Sequence, residues 1–206
     1  MSGELAGKLA TIKISGSPLS LAEEGLTRIS DTEWQISTAA KQVIDRDTDP
    51  VLEKLDGEVW EEIDYKSVNK LTGAFTFASP GYGGTEQIRV KSGNYLPLSA
   101  AAYAHDYTYN RGIDLHDVTS FREEYRRKMP GQKYASGTLS QWDVTDSYFA
   151  DALISGEPVV LELRGQAEGD PQRVWALIES DEMTAAVDSL QDEAVSFIST
   201  DELLNV

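Results

Sequence analysis

Two runs of alternating apolar and polar residues lie near the C-terminal end of the chain, joined by a turn-rich segment. In residues 159–164 the side chains on one side of an extended backbone are Val159, Leu161 and Leu163, while Glu162 lies on the other side. Residues 173–178 repeat the period of two. Segment 165–172 contains Gly, Asp and Pro, which predicts a hairpin connection. Together these runs indicate an antiparallel sheet.

Shorter runs with the same period occur at residues 11–15, 74–77 and 88–91, bounded by Gly, Pro, Asn and Asp. Many short strands favour a mainly β fold, an antiparallel β-sandwich or barrel. No Pro/Ser-rich linker interrupts the 206 residues, so a single domain over residues 1–206 is expected. With 40% hydrophobic residues the chain is too apolar for a disordered protein.

One or two α-helices flank the predicted strands. In residues 145–154 the apolar side chains share one face, Asp143 or Thr145 can cap the start, and Gly156 can end the helix. Residues 120–128 have a capping-box pair and two oppositely charged i,i+4 pairs, which indicate a second helix ending before Pro130.

The charge of the chain excludes several classes of function. With 18 basic and 35 acidic residues the net charge is −17, which argues against recognition of nucleic-acid phosphates. Adaptation to high salt is another explanation of the acidic excess.

Other features of the sequence exclude further kinds of site. There is no cysteine, and therefore no disulfide, thiol nucleophile or Cys-ligated metal. Neither a signal peptide nor a membrane span is recognised, so no membrane partner is expected.

Candidate catalytic and metal-binding residues are few. His105-Asp106 and His116-Asp117 are the two histidine–carboxylate pairs, which could act as a general base or a metal pair. His105 is also in step with Tyr103, Tyr107 and Tyr109, a ladder typical of cross-strand packing. We predict no catalytic residue, cofactor or metal.

Two loops resemble ligand-binding motifs only in part. Residues 45–49 place three Asp side chains at alternate positions, but Pro50 and Asp56 stand where an EF-hand needs Gly and Glu. A solvated acidic turn or a looser divalent-cation site remains. Residues 81–84 are Gly-rich without the Lys-Ser/Thr of a phosphate-binding loop, and they indicate a hairpin tip.

The order of motifs resembles major tail tube proteins of long-tailed, siphovirus-type bacteriophages. The resemblance covers nearly the whole chain as a pattern of strands, turns and a helix. The segments that carry it are residues 14–18, 22–27, 33–45, 49–51, 71–77, 90–97, 118–121, 129–131, 156–159, 173–175 and 193–200.

The resemblance implies a β-sandwich flanked by a helix, with a long loop and a terminal arm. It also implies a structural virion protein, made in the host cytoplasm and located in the virion tail. Subunits of that family form hexameric rings that stack into a hollow tube. Its partners are therefore further copies of itself and other tail proteins, and genomic DNA passes through the tube without specific binding.

Candidate assembly contacts follow from physical character. The polar segment 46–63 is expected to be a long loop that presents Arg46 and Asp47, with Trp60 either anchoring it to a partner or packing in the core. The C-terminal Leu203, Leu204 and Val206 provide apolar contacts for an arm. Trp34 and Trp175 lie in strand patterns and are expected in the core.

A basic cluster is a further candidate contact. It consists of Arg122, Arg126, Arg127, Lys128 and Lys133. Residues 140–206 carry 2 basic and 15 acidic residues, so the basic cluster of one copy could bind the acidic third of another. Three alternatives stay open: another phage tail or secretion-system tube component such as a tail terminator, a non-viral β-sandwich binding module, or an enzyme of an unrecognised kind.

Overall fold

A computed structural model describes residues 11–78, 82–83, 85–101, 104–119, 125–142, 147–165, 171–184 and 192–200. These residues form antiparallel strands and one α-helix, so the predicted mainly β fold with antiparallel sheets is confirmed. None of the helices within these ranges is long and apolar enough to cross a membrane.

Strands account for most of the elements along the chain. In order, they are β1 (Thr11–Ser15), β2 (Leu19–Ser20), β3 (Leu26–Arg28), β4 (Glu33–Ile36), β5 (Val51–Asp56), β6 (Val59–Ile63), β7 (Ser67–Asn69), β8 (Ala74–Thr76), β9 (Ile88–Ser92), β10 (Asn94–Tyr95), β11 (Leu98–Ala100), β12 (Ala104–Asp117), β13 (Lys128–Trp142), β14 (Val159–Arg164), β15 (Gln172–Thr184) and β16 (Asp192–Ser199). Helix α1 spans Tyr148–Ser155, and a 3₁₀ turn spans Ala39–Lys41.

The chain divides into two compact units. The first contains residues 1–14 and 100–206, and the second contains residues 15–99. The chain therefore leaves the first unit at β1 and returns to it at β11. The expectation of a single domain over residues 1–206 stays a prediction.

A seven-stranded sheet forms the first unit, in the order β11-β1-β14-β15-β16-β13-β12. One face is apolar because the period of two places the large side chains of its central strands together, and α1 contributes Phe149 and Ala152 to the same core. Phe149 is 1% exposed, and burial of a side chain of this size contributes roughly 1.5–3 kcal/mol. The core residues of the strands are Ile12, Leu139, Leu161, Leu163, Val174, Ala176, Ile178, Val195 and Phe197.

The predicted hairpin at the C-terminal end is confirmed. Strand β14 has the predicted bounds, and it pairs with β15 in the register Leu161↔Val174. Residues 166–170 of the predicted turn lie outside the described residues. The alternation of β14 holds, with Leu161 and Leu163 in the core, but Glu162 on the opposite face is also buried, at 1% exposed, which the sequence did not predict.

Three cations surround the buried Glu162 carboxylate. Lys13 Nζ lies 2.9 Å from Oε1, Arg173 Nε lies 2.8 Å from Oε2, and Arg164 Nε lies 3.4 Å from Oε1. Lys13 on β1 and Arg173 on β15 stand directly opposite Glu162 in the sheet register, so the strand pairing itself brings these charges together. Burial raises the pKa of Glu162, but hydrogen bonds from Lys13 and Arg173 outweigh it, and the net shift is downward.

The second unit contains three small sheets, in the orders β10-β2, β3-β4-β8-β7 and β6-β5-β9. Its core includes Trp34, Phe75 and Val90, and the ring edge of Tyr65 packs on Phe75 at 5.2 Å. Gly73 has φ +66°, and a Cβ there would lie 2.8 Å from the Gln42 carbonyl oxygen. Only glycine satisfies both conditions at this turn.

Three predicted elements need correction or remain partly outside the described residues. Segment 46–63 is not a long loop, because β5 and β6 pair as a hairpin over most of it. The predicted helix 120–128 is wrong at residues 125–128, where the chain is irregular and then enters β13; residues 120–124 lie outside the described residues. Helix α1 is confirmed, with Gly156 at φ +67° ending it, while the predicted caps Asp143 and Thr145 lie outside the described residues.

Candidate assembly surface

The hairpin of β12 and β13 is longer than the rest of its sheet. Within the described residues, strand β16 pairs with β13 only from Ser136 to Trp142, whereas the β12 pairing continues to Asp117↔Lys128. Residues 112–119 and 125–134 therefore project as a two-stranded extension, which we call the arm. At about 3.4 Å per residue, the paired part of the arm is roughly 20 Å long.

The arm carries six of the fourteen large hydrophobic side chains that the described residues expose. Tyr125 is 80% exposed, Leu115 54% and Met129 52%. The other three are Ile113, Val118 and Tyr134. Within the described residues no second layer covers these side chains, and a concentration of exposed apolar side chains is typical of an interaction surface.

Hydrogen bonds order the described part of the arm's tip. Val118 N–H donates to the Arg127 carbonyl at 2.9 Å, and Arg127 N–H donates to Thr119 Oγ1 at 2.9 Å. The Thr119 hydroxyl in turn donates to Asp117, and this bond, the Thr119 N–H and the charge of Lys128 lower the pKa of the Asp117 carboxyl. These bonds hold Arg126 and Arg127 beside the exposed apolar residues.

Strand β12 also forms one edge of the seven-stranded sheet. Its 14 residues pair with β13 on one side, and within the described residues no strand pairs with its other side. Tyr107 and Tyr109 pack against the core from this strand. An unpaired edge of roughly 45 Å exposes a row of N–H and C=O groups that a neighbouring strand can join.

The side chain of Lys70 lies in the acidic turn at residues 45–49. The ammonium of Lys70 lies 2.7 Å from the Arg46 carbonyl, 3.1 Å from the Thr48 carbonyl and 2.9 Å from Asp49 Oδ1. Asp45 is 9% exposed and accepts hydrogen bonds from Thr48 Oγ1 and Asp47 N–H. Lys70 therefore binds Asp49 and two carbonyls of this turn, whereas the Asp45 carboxylate is hydrogen-bonded within the turn, and a looser divalent-cation site stays a prediction.

The predicted contacts in segment 46–63 lie at different places in the second unit. Arg46 and Asp47 are exposed in the acidic turn. Trp60 is half-buried on β6, with the Arg89 guanidinium 3.9 Å above its ring and Arg89 Nε 2.5 Å from Glu53. Trp60 is thus packed by its own unit, while its role in assembly stays a prediction.

The two histidines lie near opposite ends of β12, roughly 37 Å apart at the spacing of an extended strand, so they cannot form a metal pair. His105 packs across the strands as predicted: its ring stacks on Trp142 at 4.2 Å. His116 lies opposite Met129 on the arm. Within the described residues, no three His, Asp or Glu side chains are grouped to hold a metal ion.

Several predicted residues could not be placed. Leu203, Leu204 and Val206, together with Tyr103, Arg122 and two of the four residues of the Gly-rich tip, Gly81 and Gly84, lie outside the described residues. Trp34 and Trp175 are 2% and 5% exposed, which confirms their place in the core. Arg126, Arg127, Lys128 and Lys133 all belong to the arm.

The arm formed by β12 and β13 is not the C-terminal arm that was expected at residues 203–206, and it was not predicted from the sequence. A sequence signal for it was present: the large apolar side chains at every second position, Tyr107 and Tyr109, continue at Ile113 and Leu115. This alternation is typical of one long strand.

No protein-family model and no curated protein match the chain. The structure is similar to a chain in the tail of an empty GTA particle with C6 symmetry, at 13% sequence identity and a TM-score of 0.46, over 52% of this chain and 85% of that one. It is also similar to a chain in the virion of a native gene transfer agent particle, at 15% identity and a TM-score of 0.45, over 52% of this chain and 86% of that one.

Proposed function

We propose that this chain is a structural protein of a phage-type tail, a tail tube subunit that assembles with itself into stacked hexameric rings around a hollow conduit for DNA. The observation that carries the proposal is the arm, a projecting ribbon with six exposed apolar side chains. The order of motifs along the sequence supports the same function.

The arm needs a partner because its apolar side chains have no place to be buried within their own ribbon. Burying about 25 cal/mol per Å² of apolar surface would stabilise a contact with another subunit. The unpaired edge of β12 provides a second kind of contact, in which strands of neighbouring subunits join around a ring. Two distinct contacts are what a stacked ring requires, one within the ring and one between rings.

Other parts of the proposal follow from this role. The protein works in the virion tail without an active site or cofactor, beside other tail proteins and further copies of itself. Genomic DNA passes through the conduit, and a net charge of −17 on each subunit disfavours its retention.

Sedimentation velocity tests the arm as an assembly contact. Leu115→Asp places a charge in the exposed apolar set of the arm, and Ile29→Asp is a matched control because Ile29 is similarly exposed, at 57%, in the second unit. We expect the wild type and Ile29→Asp to form the same concentration-dependent large species, and Leu115→Asp to require at least a tenfold higher concentration. Equal assembly of all three proteins would contradict the arm's role.

A tail terminator would share this architecture, but its assembly would stop at single rings. The length of the assembled species distinguishes these alternatives.

A further inference from the structure

The end of the seven-stranded sheet opposite the arm is a second distinctive surface. The register places Ala104 beside Gln141, Trp142 beside Asp192, and Asp192 beside Thr184, so four strands end together. We call this surface the acidic end. It consists of residues 104–106, 141–142, 181–184 and 192–193.

The acidic end combines negative charge with exposed apolar area. Its residues include five carboxylates and no Lys or Arg. Trp142 is 44% exposed with one ring face stacked on His105, and Met183 is 57% exposed. An exposed tryptophan among carboxylates is a favourable environment for an arginine, through both charge and cation–π contact.

Two of these carboxylates have an oxygen that is shielded from water yet makes no hydrogen bond within the described residues. They are Asp181 Oδ1 and Asp192 Oδ1. The nearest cationic group to Asp192 is His105, whose Nε2 lies 3.8 Å from Oδ1 and carries charge only when protonated. Within the described residues neither carboxylate is paired with a Lys or Arg, so both add uncompensated negative charge to the acidic end.

The arm has the complementary character. Its described residues include four basic side chains against two acidic ones. Three of the basic residues are consecutive at the tip, Arg126, Arg127 and Lys128, and they are flanked by the exposed Tyr125 and Met129. Arginines and apolar groups side by side match a surface of carboxylates, Trp142 and Met183.

One copy cannot join these two surfaces. They lie at opposite ends of the same extended hairpin, since the rows Ala104↔Gln141 and Asp117↔Lys128 are about 13 residues, roughly 45 Å, apart. The contact must form between copies, and it leaves a free arm on one copy and a free acidic end on the other. Such head-to-tail association repeats without limit or closes into a ring.

We propose that the acidic end is the docking surface for the arm of a second copy of this chain. The proposal rests on the proposed tail tube function and deepens it, because it names the surface that receives the arm. Arg126 and Arg127 meet Trp142 and the carboxylates beside it on one face of the sheet, while Met129 and Tyr125 cover Met183, which the register places on the opposite face.

Disulfide trapping tests the contact, since the natural chain has no cysteine. Met129→Cys on the arm is mixed with Met183→Cys on the acidic end under mild oxidation, and in parallel with Ile29→Cys as the exposed control. One of the two variants carries a mass tag, so non-reducing electrophoresis separates a dimer of two different variants from a dimer of two identical ones. We expect the mixed Met129→Cys/Met183→Cys dimer to exceed the control dimer at least tenfold.

Charge reversal provides the second readout, by sedimentation velocity. Arg126→Glu with Arg127→Glu should raise the concentration needed for assembly at least tenfold, and addition of Glu182→Lys with Asp181→Lys should restore part of the loss. Assembly of the wild type without the mixed dimer, or with an arm–arm dimer in its place, overturns this inference and leaves the proposed function standing. A wild type that stays monomeric overturns both.

Discussion

Glu162 shows how a single residue links three strands of the sheet. Its carboxylate is 1% exposed and bound to Lys13 and Arg173 on the two strands that flank it. Removing one partner of a buried ion pair leaves uncompensated charge, which typically costs 3–5 kcal/mol. We expect Glu162→Ala to lower the free energy of unfolding by about that amount in urea denaturation. The exposed Glu157→Ala is the control, within about 0.5 kcal/mol of wild type.

The same residue predicts a pH dependence. Because the folded-state pKa of Glu162 is below its ordinary value of 4.5, its stabilisation is complete above that pH and is lost as pH falls through the lower, folded-state pKa. Glu162→Gln should therefore reduce the loss of stability below pH 4.5. If the unfolding midpoints of the wild type and Glu162→Gln fall equally below pH 4.5, other carboxylates cause the loss of stability in acid.

Gly73 tests backbone strain separately from steric contact. Gly73 and Gly57 have almost the same φ, +66° and +63°, but a Cβ at Gly57 meets nothing within 4 Å, whereas one at Gly73 meets the Gln42 carbonyl at 2.8 Å. We expect Gly57→Ala to cost about 1 kcal/mol and Gly73→Ala about 3 kcal/mol or more, measured by thermal unfolding. Equal losses would mean that the Gln42 backbone moves aside freely.

At the residue scale, the alternating pattern correctly predicted where Trp34 and Trp175 are buried. It did not predict the burial of Glu162, because alternation assigns a side chain to one face of its own strand without showing what the neighbouring strands place there. The partners Lys13 and Arg173 are 149 and 11 positions away in sequence, and only strand order makes them adjacent to Glu162.

At the scale of elements, Lys70 fixes the acidic turn before β5. Its ammonium binds two carbonyls and Asp49, so its removal leaves these oxygens without their donor. We expect Lys70→Met, which keeps the aliphatic stem, to lower the free energy of unfolding by roughly 1–3 kcal/mol. The exposed Lys66→Met should change it by less than about 0.5 kcal/mol. Similar small losses in both variants would contradict the role of Lys70.

Local patterns predicted some elements and missed others for identifiable reasons. Strand β14 and helix α1 have strong local signals, namely apolar periodicity and a terminating Gly156. The β5–β6 hairpin was overlooked although Asp56-Gly57 is a strong turn signal, because its strands are rich in Glu. Residues 125–128 favour a helix locally, but Lys128 pairs with Asp117 in the long hairpin, and tertiary pairing prevails over helix propensity.

At the scale of the whole molecule, the proposed assembly depends on two surfaces that local patterns do not reveal together. The basic cluster and the acidic last third were both visible in the sequence, but the arm and the acidic end appear only when the strand register is known. Charge acts over about 8 Å at physiological salt, so complementarity matters where these two surfaces touch and not across the whole chain.

Electron microscopy of the concentrated, purified protein tests the tail tube function most directly. A tail tube subunit predicts six-fold rings and hollow tubes of constant diameter for the wild type and for Ile29→Asp, and their loss in Leu115→Asp. Particles that remain monomeric at every protein and salt concentration would contradict that function.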